Sequence, residues 1–293
     1  MEAVPSPNPE LEKRVAALRR LARQDVIPAV QEAVQMCLDG EEVVLSRQVD
    51  GVGRLLGHSA KPVCVRLPVP EQSEPKTSEA AIVFGALAAA QPDELWRNRS
   101  VVELGCGAGF SGLVLALLGA RVMLTDVADI EEHVMASIAY NASSIKPPAA
   151  ASFCTLDWSE PRESPAALEA LSRATLVLAV DPAENSEESE KFIKMAQAVM
   201  GLDSGRALCP NMEGFLLVHK CTNSYCIAGY SAPSGKAAPT VSLADECSRC
   251  TFRRDLEDAG VMVTPFEVPI PKSFKHPFVQ CWQIAPRARV AQS

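Results

Sequence analysis

Ser100-Val-Val-Glu-Leu-Gly-Cys-Gly-Ala-Gly-Phe-Ser-Gly-Leu-Val-Leu-Ala-Leu-Leu-Gly-Ala-Arg-Val-Met-Leu-Thr-Asp126 is the stretch that decides the fold. It reads as a strand, a glycine turn, an apolar helix, and a second strand closed by an acid. Val101 and Val102 open a buried strand, and Gly105, Gly107 and Gly109 let the backbone turn with no Cβ in the way. Residues 110–118 form a short apolar run suited to a helix pressed against a sheet. Gly119 ends it, and residues 121–125 return as the next strand. This is one βαβ unit, and the crevice at its strand ends is where such sheets bind nucleotides.

Charge decides which nucleotide. Gly107-x-Gly109-x-x-Gly112 also satisfies the dinucleotide pattern, which is weak evidence alone. In that reading the turn holds a pyrophosphate, and a nearby carboxylate repels it. Glu103 stands just before the glycines. An acid there suits a ligand carrying an ammonium and a sulfonium, which is S-adenosylmethionine. Asp126, at the tip of the second strand, is placed to accept hydrogen bonds from both ribose hydroxyls. NAD or FAD, and a turn that binds nothing, are the alternatives.

The remaining chain sets the frame. Its 293 residues allow one large domain or two small ones, and 47% hydrophobic content excludes global disorder. A net charge of −8 argues against a nucleic-acid backbone as the main partner. No apolar run reaches membrane-spanning length, and the N-terminus lacks a signal-peptide core. The expectation is a soluble monomer in the cytoplasm, with the nucleus as the alternative. Ten cysteines are scattered, several in apolar segments such as Cys106 and Cys281, and read as reduced core thiols.

Residues 1–9 read as a loose tail. Leu11, Val15, Leu18 and Leu21 lie at helical spacing, giving an amphipathic helix over 10–24. Pro28 breaks it, and 29–38 makes a second helix. Residues 43–46 and 63–67 are strand-like runs flanking a glycine-rich turn, hence a hairpin. Together 1–76 form an N-terminal extension, and 77–293 the main domain. Within that domain helices are expected over 79–90, 130–141, 165–172, 187–200 and 252–259. His133, within the second of these, reads as a surface residue. Strands are expected over 152–156, 175–180, 215–219, 261–268 and 278–284. Alternating strands and helices followed by a terminal antiparallel hairpin give a seven-stranded, mostly parallel α/β sandwich.

These residues resemble the seven-β-strand, class I methyltransferases, whose sandwich is Rossmann-like. Within them the chain is similar to the family-16 protein-lysine methyltransferases, the group that modifies translation factors and chaperones. The resemblance covers roughly residues 79–284. It rests on Val-Val-Glu-Leu-Gly-Cys-Gly-Ala-Gly at 101–109, Leu-Thr-Asp at 124–126, Asn141, Leu156-Asp157-Trp158, and 215–220. It implies that Glu103, Gly105, Cys106, Gly107 and Gly109 hold the methionine part of S-adenosylmethionine and Asp126 the ribose. Asp157 and Trp158 contact the adenine, and Val180 and Asp181 line the floor beside the reactive methyl. Core filler is the alternative for Trp158. The implied partner is a protein substrate such as a translation factor or chaperone, methylated on lysine, with no membrane and no nucleic acid.

Two positions depart from the family. The aromatic expected three residues after Asp181 is Glu184, and the tryptophan expected before the first core helix falls on Glu79. Two carboxylates in place of two aromatics weaken cofactor stacking and alter the acceptor tunnel. A lysine must shed a proton before attack, and Asp181 is the candidate to orient the amine, with Glu184 accepting the proton through water. The alternatives are a helix N-cap for Asp181 and a solvated acid for Glu184. The departures also leave open an inactive, methyltransferase-like scaffold. Cys247-x-x-Cys250 with Cys221 and Cys226 admits a structural zinc, against the reading of plain thiols.

Overall fold

The computed structural model describes residues 26–45, 61–70, 75–183, 185–220, 248–266 and 279–287. The helix expected over 10–24 lies outside them. In chain order the described helices are α1 (Val26–Leu38), α2 (Glu79–Ala90), α3 (Phe110–Leu117), α4 (Glu131–Asn141), α5 (Pro165–Arg173), α6 (Ser186–Met200) and α7 (Ser248–Asp258). The strands are β1 (Glu42–Leu45), β2 (Val63–Arg66), β3 (Ser100–Leu104), β4 (Arg121–Asp126), β5 (Ala150–Thr155), β6 (Leu176–Val180), β7 (Gly214–Lys220), β8 (Val261–Pro265) and β9 (Val279–Pro286).

Seven strands form one sheet in the order β5-β4-β3-β6-β7-β9-β8. β5, β4, β3, β6 and β7 run parallel, and β9 lies antiparallel between β7 and β8. The order reverses beside β3, so a crevice opens between the carboxyl ends of β3 and β6. The expected sandwich and its terminal hairpin are both present.

The apolar runs work because strand side chains alternate between faces. Val101, Leu176, Leu178, Val180, Leu216 and Val218 point into one hydrophobic cluster, with α1, β1, β2, α2, α3 and α4. Val102, Val177, Ala179, Phe215 and Leu217 point into the other, with α5, α6 and α7. A sheet buried on both faces needs no polar alternation, so its strands read as continuous runs.

The β1–β2 hairpin is antiparallel, and Asn141 at the end of α4 fastens it. The Asn141 side chain accepts a bond from the Arg66 N–H (3.1 Å) and donates to the Arg66 carbonyl (2.7 Å). The edge of β2 is thus satisfied by a side chain rather than by another strand.

Four expectations shift. The helix expected over 29–38 begins at Val26, so Pro28 sits in the first turn of α1, where its missing N–H would have no partner. β5 begins two residues earlier than expected, because pairing with β4 at Arg121–Ala150 extends it along a half-exposed edge. α7 starts four residues before Phe252. His133 is buried, not a surface residue. Among the described residues no helix is long and apolar enough to cross a membrane. Cys37, Cys64, Cys106, Cys154, Cys209 and Cys281 are free thiols.

Candidate functional site

The turn after β3 is built by backbone geometry. Gly105, Gly107 and Gly109 take φ of 69°, 51° and 83°, a region closed to most side chains. The amides of Gly105 and Cys106 both donate to the Thr125 carbonyl (2.9 and 3.0 Å), which ties the turn to β4. Gly109 then starts α3, whose first turn faces the crevice.

Glu103 turns its carboxyl beneath that helix. Its Oε2 accepts a bond from the Gly112 N–H at 2.9 Å, and only 1% of the residue is exposed. Burial is the main cause that pushes its pKa up to about 8, and the like charge of Asp126 adds to it. The Gly112 amide and the Ser111 hydroxyl pull the other way.

Asp126 joins the two strand ends. Its Oδ2 accepts from the Gly107 N–H (2.9 Å) and its Oδ1 from the Val127 N–H (2.8 Å). Each carboxylate oxygen keeps a second lone pair for a ligand hydroxyl. Burial raises the Asp126 pKa against the pull of those two amides.

Asp157 is exposed, and Ser159 caps it through its N–H (2.8 Å) and its hydroxyl, holding the carboxyl below the usual range. Trp158 packs edge-on against Phe192 with centroids 5.6 Å apart. Its ring also lies so close to Gly105 that a Cβ there would stand 2.7 Å from Trp158 Cζ2. Gly105 is therefore fixed twice, by its backbone angle and by the indole. The Trp158 N–H is buried and has no hydrogen-bond partner among the described residues.

Val180 ends β6, and Asp181 follows it at φ 52°, an uncommon angle for a residue with a side chain. The Asp181 N–H donates to the Val218 carbonyl (2.7 Å), and its Oδ1 accepts from the Lys220 N–H (3.3 Å). The N-cap of α6 is Asn185, which accepts from the Glu188 N–H at 3.0 Å, so Asp181 is not the helix cap. Strained backbone held at a strand end is a common feature of sites where a side chain must be aimed.

Glu103, Gly105, Cys106, Gly107, Asp126, Asp157, Trp158, Val180 and Asp181 border one cleft of about 520 Å³. Gly109 does not line it and contributes the turn instead. Glu184 lies outside the described residues, as do Cys221, Cys226 and Cys247. Glu79 does not border the cleft either; its Oε2 pairs with Lys220 Nζ at 3.0 Å. Sequence reasoning missed Ser78, Phe110, Ser111, Glu188 and Lys191, all at the rim or floor. Phe110 and Ser111 could have been found, because the first turn of a helix after a glycine turn faces the ligand. Glu188 and Lys191 arrive from α6 by tertiary packing, which leaves no local signal.

The cleft's charge is one-sided. Among the described residues its lining holds five acidic side chains (Glu103, Asp126, Asp157, Asp181, Glu188) against two lysines (Lys76, Lys191), with no arginine. A pyrophosphate would meet repulsion here, and a cationic ligand attraction. A volume of this size suits a nucleoside-sized ligand.

Strand order, glycine turn and crevice together define the class I, seven-strand methyltransferase fold. The chain resembles the lysine methyltransferase family, whose model matches residues 71–212. EEF1A lysine methyltransferase 3 of Xenopus tropicalis is 35% identical over 63 residues, 22% of this chain and 27% of that protein. The alignment thus spans about a quarter of the relative's length. Among solved structures, magnesium protoporphyrin IX methyltransferase from Synechocystis PCC 6803 is 17% identical, covering 71% of this chain and 81% of that one, with a TM-score of 0.40. The mitomycin 7-O-methyltransferase structure is 13% identical, covering 95% and 69%, with a TM-score of 0.46.

Proposed function

We propose that this chain transfers a methyl group from S-adenosylmethionine to a lysine side chain of a protein. The observation that carries the reading is the acid-rich cleft at the carboxyl ends of β3 and β6, which fits a cationic donor. The family match over residues 71–212 supports both methyl transfer and lysine as acceptor. The partial match to a methyltransferase named for an elongation factor favours a translation factor as the target.

S-adenosylmethionine supplies an electrophilic methyl on a sulfonium, and the chain supplies position and charge. Glu103 and the turn amides surround the amino-acid end, and the Cβ-free Gly105 and Gly107 let it approach the backbone. Asp126 takes the ribose hydroxyls. Asp157 and Trp158 border the adenine, and Val180 forms the floor under the methyl. Asp181 orients the acceptor amine, and Glu184, three residues on, takes its proton through water. Alignment of the amine with the methyl carbon is the main accelerating effect, since proximity alone lowers such barriers by several kcal/mol, about 7–11 at best.

Asp181→Asn is the direct test, because asparagine tolerates the same backbone angle but carries no charge. Transfer of labelled methyl to protein in a cell extract is expected to slow by about 100-fold, with donor affinity kept within a few-fold. Labelling at wild-type rate in the variant would contradict the role. Wild-type protein that binds the donor but labels nothing would favour the scaffold reading.

A further inference from the structure

Glu103 borders the cleft, yet its own surface is almost wholly withdrawn from solvent. Oε2 takes one bond from the Gly112 N–H, and the Ser111 hydroxyl gives a second. The titratable groups acting on it are Asp126 on β4, of the same sign, and the Cys106 thiol in the turn, which burial keeps neutral. The cleft's other ionisable groups are Asp157, Asp181, Glu188, Lys76 and Lys191. Among the described residues no lysine or arginine forms an ion pair with Glu103. A buried carboxylate without a cation is costly, and keeping its proton avoids the cost. The pKa of about 8 agrees with that geometry.

We infer that Glu103 is a neutral carboxyl in the empty cleft and that binding of the cationic donor expels its proton to solvent. The inference rests on the donor assignment above and adds a charge-selecting role for this residue. The O–H bond of the carboxyl breaks, the proton passes to buffer, and the carboxylate stays opposite the ligand's positive charge. Nothing is oxidised or reduced. A ligand without positive charge has nothing to offset the ionised form, so the cleft selects its donor by charge as well as by shape.

The sign follows from linkage. Donor binding favours the ionised form, so the Glu103 contribution to affinity rises with pH and levels off once the empty cleft is already ionised, above about pH 8. Between pH 6 and 7 that contribution approaches tenfold per pH unit.

Calorimetric titration of the full chain with S-adenosylmethionine at pH 7, in two buffers of different ionisation enthalpy, counts the protons released. The wild type is expected to release about 0.9 proton more than Glu103→Gln, since a group titrating near 8 is about nine-tenths protonated at pH 7. The difference cancels protons exchanged by the ligand's own amine. Equal counts in the two proteins would overturn the inference. Infrared difference spectra of the wild type alone give an independent reading. Loss of a protonated-carboxyl C=O band on donor binding is expected, and its absence would overturn the inference. Failure of the wild type to bind the donor would instead remove the donor assignment itself.

Discussion

Replacing Gly112 by alanine lowers the thermal unfolding midpoint by about 5–10 °C, a loss on the order of 3 kcal/mol for a domain of this size. The direction is not obvious, because alanine is the better helix former by about 1 kcal/mol. Space decides it. A Cβ at position 112 would fall on Leu124 Cδ2, stand 2.5 Å from Glu103 Oε2 and 3.1 Å from Val122 Cγ1. Leu124 and Val122 belong to β4, paired on both sides by β5 and β3, and Glu103 is held by the amide of the substituted residue itself. None of the three can yield without opening the packing between α3 and the sheet. Gly214→Ala is the control, since its Cβ would meet only Leu176 Cδ1 at 3.5 Å. A Gly112→Ala midpoint equal to or above that of the wild type, by differential scanning calorimetry, would contradict the close approach of α3 to β4.

Asp126→Ala is expected to weaken binding of S-adenosylmethionine by about 100-fold or more while costing little stability. Two ribose hydroxyls lost from a carboxylate are worth about 3 kcal/mol together, which is roughly that factor. In the empty protein the same carboxyl accepts bonds from the Gly107 and Val127 amides, yet burial pushes its pKa upward, so its removal relieves a desolvation cost as it loses two bonds. Those effects oppose each other, and the consequence concentrates in binding. Titration calorimetry with thermal melting checks both parts. An affinity within about threefold of wild type would refute the ribose role.

The central strands were legible because they are buried on both faces. The run at β6 carries no polar residue, those at β3 and β7 carry polar residues only near their ends, such as Glu103, His219 and Lys220, and the structure bounds each within a residue or two of the sequence reading. β5 was displaced because an edge strand is only partly buried, and hydrophobicity then marks its limits poorly. The helix expected over 79–90 is α2 to the residue, and Ser78 just before it caps it by accepting from the Ala81 N–H at 3.2 Å. Asp181 and Asn185 show the opposite case: both are good capping residues four positions apart, and only the path of the chain decides between them. His133 was misread because a lone histidine on a helix carries no sign of which face is covered. Four acids of the cleft (Glu103, Asp126, Asp157 and Asp181) were readable from strand ends, whereas Glu188 and the lysines were not, since Lys76, Glu188 and Lys191 come from segments brought in by tertiary packing. Glu79 was expected at the acceptor tunnel, where an aromatic stands in the family; its pairing with Lys220 depends on β7 and could not be seen locally.

Separate calorimetric titrations with S-adenosylmethionine and with NAD test most directly whether this cleft was shaped by positive charge. One molecule of S-adenosylmethionine is expected to bind per chain, with no detectable binding of NAD at the same concentrations. Binding of NAD in preference to the sulfonium donor would contradict a cleft shaped by positive charge.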